Sequence, residues 1–130
     1  MTSIAKFSLV AFDCPDPQRL AEFYSTITGW PVTRDSGDWV EIASEAGFKL
    51  AFQLAPDHVP PQWPDPAHPQ QAHVDFDVTD LAAATEQVLA IGARTAEFQP
   101  EPGFTVFLDP AGHPFCLVQA DEEPVTVAPI

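Results

Sequence analysis

The strongest constraint on this chain is that it is written twice. "FDCPD" at 12–16 runs into "PQRLAEFYSTITG", ending at Gly29, and "FDVTD" at 76–80 runs into "LAAATEQVLAIG", ending at Gly92. Both stretches read as strand, aspartate, two residues, aspartate, helix, glycine, with the strands and aspartates offset by 64 positions. A repeat of this period implies two copies of one supersecondary unit. Asp16 and Asp80 suit N-caps, because a carboxylate accepts the orphan N–H groups of a first turn. Pro17 suits the first helical position, and Gly29 and Gly92 suit a left-handed residue after the last. Leu20, Phe23, Tyr24 and Ile27 make one apolar stripe at helical spacing, and Leu81, Ala84, Val88 and Ile91 make the other.

Strands fill the rest of each copy. "KFSLVAF" (6–12) precedes the first helix, and "WPVTRD", "WVEIA" and "FKLAFQL" follow it, separated by the turn sequences "SGD" and "SEAG". "AHVDFDV" (72–78) precedes the second helix, and "RTAEF", "FTVFL" and "HPFCLV" follow it, separated by "QPEPG" and "DPAG". Each half therefore reads β-α-β-β-β, which makes an α+β chain of 130 residues and one domain. Module 1 covers about 5–54 and module 2 about 72–119. The intervening 55–71 is dense in proline and reads as an extended connector. The tail 120–130 has little to pack and is expected at the surface.

Charge narrows the partners. Nineteen carboxylates face five Lys and Arg residues, for a net charge of −14. Such a field repels nucleic acid and anionic membrane surfaces. No stretch reads as a signal peptide or a membrane span, and two cysteines make no disulfide scaffold, so a cytoplasmic location with reduced thiols is expected.

The stretches "DCPDPQRLAEFYSTITGW" (13–30), "LAFQLAP" (50–56), "WPDP" (63–66), "HVDFDV" (73–78) and "FLDPAGHPFCLV" (107–118), carried on two tandem modules, resemble the vicinal oxygen chelate superfamily. That superfamily includes glyoxalases, bleomycin-resistance proteins and extradiol dioxygenases, and the chain looks most like its glyoxalase-like bacterial subgroup. The resemblance spans residues 6–119. It implies two modules that form a curved mixed sheet around a ligand cavity, and a homodimer.

Strand alternation then assigns faces. Lys49, Ala51 and Gln53 are expected on the cavity side of their strand, His73, Asp75 and Asp77 on theirs, and Pro114, Cys116 and Val118 on theirs. Trp39 and Glu41 are expected to face the cavity together with Thr105 and Phe107. Glu41 and Lys49 are expected to pair across their hairpin, as an ordinary ion pair or as a partly buried general base. His73 and Asp75, two apart on one face, let a carboxylate bias an imidazole. Trp39, Trp63 and Phe107 are candidates for a stacking surface.

The resemblance also raises a metal. Metal-using members draw one ligand from the first strand and one each from the strands that carry Gln53, His73 and Cys116 here. Leu9 stands at the first of these positions and cannot ligate, and Gln53 is a weak amide ligand for zinc. One imidazole and one thiol fall short of the three protein ligands of a catalytic zinc. His113 does not repair the count, because it sits in a turn and has the opposite strand parity to Cys116. Negative neighbours also work against a reactive Cys116 thiolate.

The expected ligand-binding set is thus Trp39, Glu41, Lys49, Gln53, His73, Asp75, Phe107 and Cys116, with no metal and no cofactor. The expected function is binding of a small organic molecule, cationic or aromatic, for sequestration or resistance. The alternative is a divalent-metal lyase, isomerase or dioxygenase of the same superfamily. Whether a reaction is catalysed stays open at this point.

Overall fold

Each half of the chain folds into a four-stranded mixed sheet with one helix. The computed structural model describes residues 3–120, in two compact units divided between Val59 and Pro60. The tail from residue 121 lies outside the described residues. Among those described, no helix is long and apolar enough to cross a membrane.

In the first unit, β1 (Val10–Cys14) leads through α1 (Pro17–Thr28) to β2 (Val32–Asp35), β3 (Trp39–Ala43) and β4 (Lys49–Leu54). The strand order is β1-β4-β3-β2, with β1 parallel to β4 and the other pairs antiparallel. The Asp16 carboxylate accepts from Arg19 N at 3.1 Å, Pro17 opens the helix, and Gly29 closes it at φ 75°. Leu20, Phe23 and Tyr24 are buried from α1 against Phe12, Val40, Ile42, Leu50 and Phe52 from the sheet. The Phe12, Tyr24 and Phe52 rings stack with centroids 5.6–5.9 Å apart, and Phe23 meets Tyr24 edge-on at 5.0 Å. Burying one such ring stabilises the fold by roughly 1.5–3 kcal/mol.

The second unit repeats the plan with β5 (Val74–Val78), α2 (Leu81–Ala90), β6 (Arg94–Thr95), β7 (Phe104–Leu108) and β8 (Pro114–Gln119), in the order β5-β8-β7-β6. Asp80 caps α2 by accepting from Ala83 N at 3.0 Å. Phe107 and Phe115 stack at 5.5 Å in the core, yet Val88 is the one buried residue of α2. The short β6 is extended by a side chain. The Gln99 amide donates to Ala96 O and Val106 O and accepts from Val106 N, at 2.8–2.9 Å, as a strand backbone would.

The repeat does not keep one offset. Val10 to Val74 and Pro17 to Leu81 span 64 residues, whereas Trp39 to Phe104 and Lys49 to Pro114 span 65. The proline-rich segment is also more than a spacer. It turns at 55–58 and 62–68, and Pro60 packs against Gly112, where an added Cβ would sit 2.5 Å from the proline Cβ.

Candidate functional site

The alternation of β5, β7 and β8 builds one wall of a pocket in the second unit. Asp75 and Cys116 are register partners across the parallel β5–β8 pair, and Val106 is the partner of Cys116 across β7–β8. Pro114, Cys116, Val118, Phe104 and Val106 therefore share one face, with Asp75 and His73 beside them. Trp63, Gln70 and Pro100 complete a cavity of about 390 Å³. Trp63 is braced by the Phe98 ring at 5.5 Å. The turn that feeds β8 is set by the buried Asp109, whose Oδ1 accepts from Ala111 N at 2.8 Å and His113 N at 3.0 Å.

The polar groups of this pocket centre on Asp75. His73 Nε2 lies 3.1 Å from Asp75 Oδ1. The Cys116 thiol is pushed up to about 11, first by burial and then by the adjacent Asp75 carboxylate, to which it also hydrogen-bonds. A thiol in that state keeps its proton at neutral pH and is a poor nucleophile. Gln70 contributes a side-chain oxygen, Oε1, that is buried and has no hydrogen-bond partner.

The donor set does fit a metal ion. One ligand atom each from His73, Asp75 and Cys116 lies within 4.8 Å of the other two. Ligands around a tetrahedral zinc stand roughly 3.3–3.8 Å apart, so a small closure of side chains brings the three together. The sequence counts one imidazole and one thiol, with Asp75 as a neighbour that biases His73; strand pairing with Cys116 sets the Asp75 carboxylate beside them as a third donor. His113 is not in this group.

Of the eight expected binding residues, His73, Asp75 and Cys116 meet in this pocket. Phe107 does not. It is fully buried on the opposite face of β7, paired with Phe115, and Thr105 shares that parity. The extra residue ahead of β7 in the second copy caused the error, because a one-residue slip exchanges the two faces of a strand. The signal was present in the turns, since Gly47 and Gly112 stand 65 apart and carry φ of 96° and 90°.

Trp39, Glu41, Lys49 and Gln53 belong to the first unit. Trp39 Nε1 donates to Glu41 Oε2 at 2.7 Å, and Arg34 Nη1 lies 3.7 Å from the same oxygen. The expected Glu41–Lys49 pair is replaced by Glu41–Arg34, because Arg34 is the register partner of Glu41 and Lys49 faces Ala43. Lys49 borders a separate depression of about 420 Å³ with Lys6, Phe7 and Ser8. Gln53 is exposed at the side of Trp39, its partner on β3. Sequence reasoning missed Gln70, Pro100, Phe104 and Val106. The last two follow from the corrected parity, and nothing in the sequence singled out Gln70.

Known structures share this architecture. A glyoxalase/bleomycin resistance protein/dioxygenase family enzyme from Burkholderia phytofirmans PsJN superposes with a TM-score of 0.68 at 15% identity, over 87% of this chain and 97% of that one. A glyoxalase-related enzyme from Fulvimarina pelagi gives 0.63 at 18% identity, over 88% of each chain. A point mutant of the fosfomycin resistance protein FosX from Listeria monocytogenes, complexed with Mn(II) and 1S,2S-dihydroxypropylphosphonic acid, gives 0.66 at 17% identity, over 93% of this chain and 94% of that one. No curated protein matches the chain in sequence. The glyoxalase-like domain model matches residues 9–118, from the residue before β1 into β8, and the chain belongs to that glyoxalase-like domain family.

Proposed function

We propose that the second module binds a small organic molecule in this pocket, for sequestration or resistance and without a catalytic metal. The observation that carries the reading is the cavity of about 390 Å³, apolar over Trp63, Pro100, Phe104, Val106, Pro114 and Val118, with a few polar groups set into it. Small-molecule sites have this size and this balance. Asp75 already holds both His73 and the protonated Cys116, so the three satisfy one another. Fosfomycin resistance proteins among the structural neighbours support the resistance part of this reading. A reducing cytoplasm suits the two free cysteines, and a homodimer belongs to the same reading.

Binding is tested by thermal shift and tryptophan fluorescence against small aromatic compounds. A ligand at 100 times its Kd adds about 2.7 kcal/mol to stability. Val106→Trp fills the cavity and should abolish the shift while the protein stays folded. Retained binding in that variant would place the ligand elsewhere. Purified protein is expected to hold far less than one divalent ion per chain, with a Tm that EDTA leaves unchanged.

The ligand geometry of His73, Asp75 and Cys116 favours a second reading, a divalent-metal enzyme of the same superfamily. These three would hold an ion of zinc's type, since a thiolate selects zinc over harder cations, and the ion would supply Lewis-acid chemistry beside the apolar wall. Loading would release the Cys116 proton. Stoichiometric zinc that tracks with Cys116 would establish this second reading over the first.

A further inference from the structure

Gln70 stands in the pocket wall with a buried Oε1 that has no hydrogen-bond partner. Buried acceptors are nearly always paired, and one left unpaired forfeits free energy that a matching donor restores. The other strong acceptor of the wall is the Asp75 carboxylate, and neither Lys nor Arg lines the pocket. His73 and Cys116 already turn toward Asp75, so no donor of the wall is directed at Gln70. The wall thus sets two side-chain acceptors, Gln70 Oε1 and the Asp75 carboxylate, and no Lys or Arg, among apolar surfaces from Trp63, Phe104, Val106 and Val118.

We infer that the pocket selects flat aromatic or heteroaromatic molecules that carry an amine, amidine or amide N–H, placed on Gln70 Oε1 with positive charge drawn toward Asp75, and that it rejects anions. This rests on the reading of the pocket as the ligand site. Oε1 is closed to water as it stands, but the terminal torsion of a glutamine is broad, and a turn of the amide presents the oxygen to the lumen. The apolar wall takes the ring, and the acceptors choose among rings by what their edges donate. An anion meets Asp75 with no cationic side chain to offset it. The FosX complex holds a phosphonic acid together with Mn(II), which is the opposite polarity of ligand.

Three probes of one size test this at neutral pH by isothermal titration: 2-aminoquinoline, 2-methylquinoline and quinoline-2-carboxylate. The amine should bind at least roughly tenfold tighter than its methyl isostere, and the carboxylate should not bind. Gln70→Met should remove most of the advantage of the amine. Gln70→Glu, folded by circular dichroism, should increase it, because a full charge strengthens the acceptor. Equal affinity for the amine and methyl probes, or tightest binding of the carboxylate, overturns the donor requirement and leaves the pocket as a ligand site. Failure of all three probes to bind removes the pocket reading itself, and this inference with it.

Discussion

The two modules share a plan and differ in what their open sheet faces hold. Leu9, Ala11, Trp39, Glu41, Ala51 and Gln53 in the first occupy the strand positions of His73, Asp75, Phe104, Val106, Cys116 and Val118 in the second. The carboxylate of the first face, Glu41, is held by Trp39 and Arg34. The carboxylate of the second, Asp75, sits between an imidazole and a thiol at the edge of a cavity. The cores differ in the opposite sense. The first has an aromatic stack under a helix that buries five residues, whereas α2 buries Val88 alone. One copy buries more of its helix, and the copy whose helix buries less carries the cavity.

The sharpest way to break this comparison is to cut each core. Phe52→Ala removes a fully buried ring from the stack and should cost about 3–5 kcal/mol in urea unfolding. Val88→Ala removes two carbons from a helix that packs thinly and should cost about 1–3 kcal/mol. If the two losses were equal, the second core would be as dense as the first and the contrast would fail.

Next in size is the close approach behind the pocket. Gly37 and Gly112 both adopt φ of 90°, but a Cβ at Gly37 meets open space and one at Gly112 meets Pro60. Gly37→Ala should cost about 1–2 kcal/mol for the left-handed backbone alone. Gly112→Ala adds the clash and should cost about 2–4 kcal/mol. It should also weaken 2-aminoquinoline roughly tenfold, because the segment that Pro60 begins carries Trp63 and Gln70 into the wall. A stability loss at Gly112 with no loss of binding would detach that segment from the site.

These positions also mark where the sequence could be read. Caps, turns and stripes are local, so Asp16, Asp80 and both helices were legible from residue spacing. His73, Asp75 and Cys116 were assigned to the right face because they lie on strands whose alternation starts from clear anchors. Phe107 was misplaced because a single offset was extended past the helix, where the second copy holds one more residue. Gln70 and Trp63 enter the pocket through turns of a proline-rich segment, and no periodic pattern carries that information. The three-donor geometry depends on strand pairing between residues 41 positions apart, Asp75 and Cys116, which sequence spacing alone does not set.

A smaller effect separates the pocket by pH. The Cys116 thiol is raised from 9.0 to about 11 in the folded chain. Between those values the unfolded chain gives up a proton that the folded one keeps, so stability is full below pH 9 and falls as pH rises toward 11. The loss should be on the order of 2 kcal/mol and should be absent in Cys116→Ala. Ultraviolet absorbance of the thiolate should appear over the upper part of the same window. A titration near the ordinary thiol value would show that Asp75 and burial do not act on Cys116 as the geometry implies.

The smallest effect tests what the two copies have kept in common. Asp16 accepts from Arg19 N at 3.1 Å and Asp80 accepts from Ala83 N at 3.0 Å, so the same carboxylate closes the same turn in each module. The first backbone position of each helix is handled differently. Pro17 has no N–H to satisfy, whereas Leu81 N donates to Gln119 Oε1 from β8 at 3.0 Å. Asp16→Ala and Asp80→Ala should therefore each cost about 1 kcal/mol, because each leaves one donor unpaired and no more. Gln119→Ala should cost a similar amount, and proline at position 81 in that background should recover part of it, since Pro lacks the donor that Gln119 serves. Urea unfolding read by circular dichroism resolves differences of this size. A loss at Asp80 more than twice that at Asp16 would mean that the second helix depends on its cap for want of packing, and would widen the contrast between the modules. Equal losses would confine that contrast to the cores and the sheet faces.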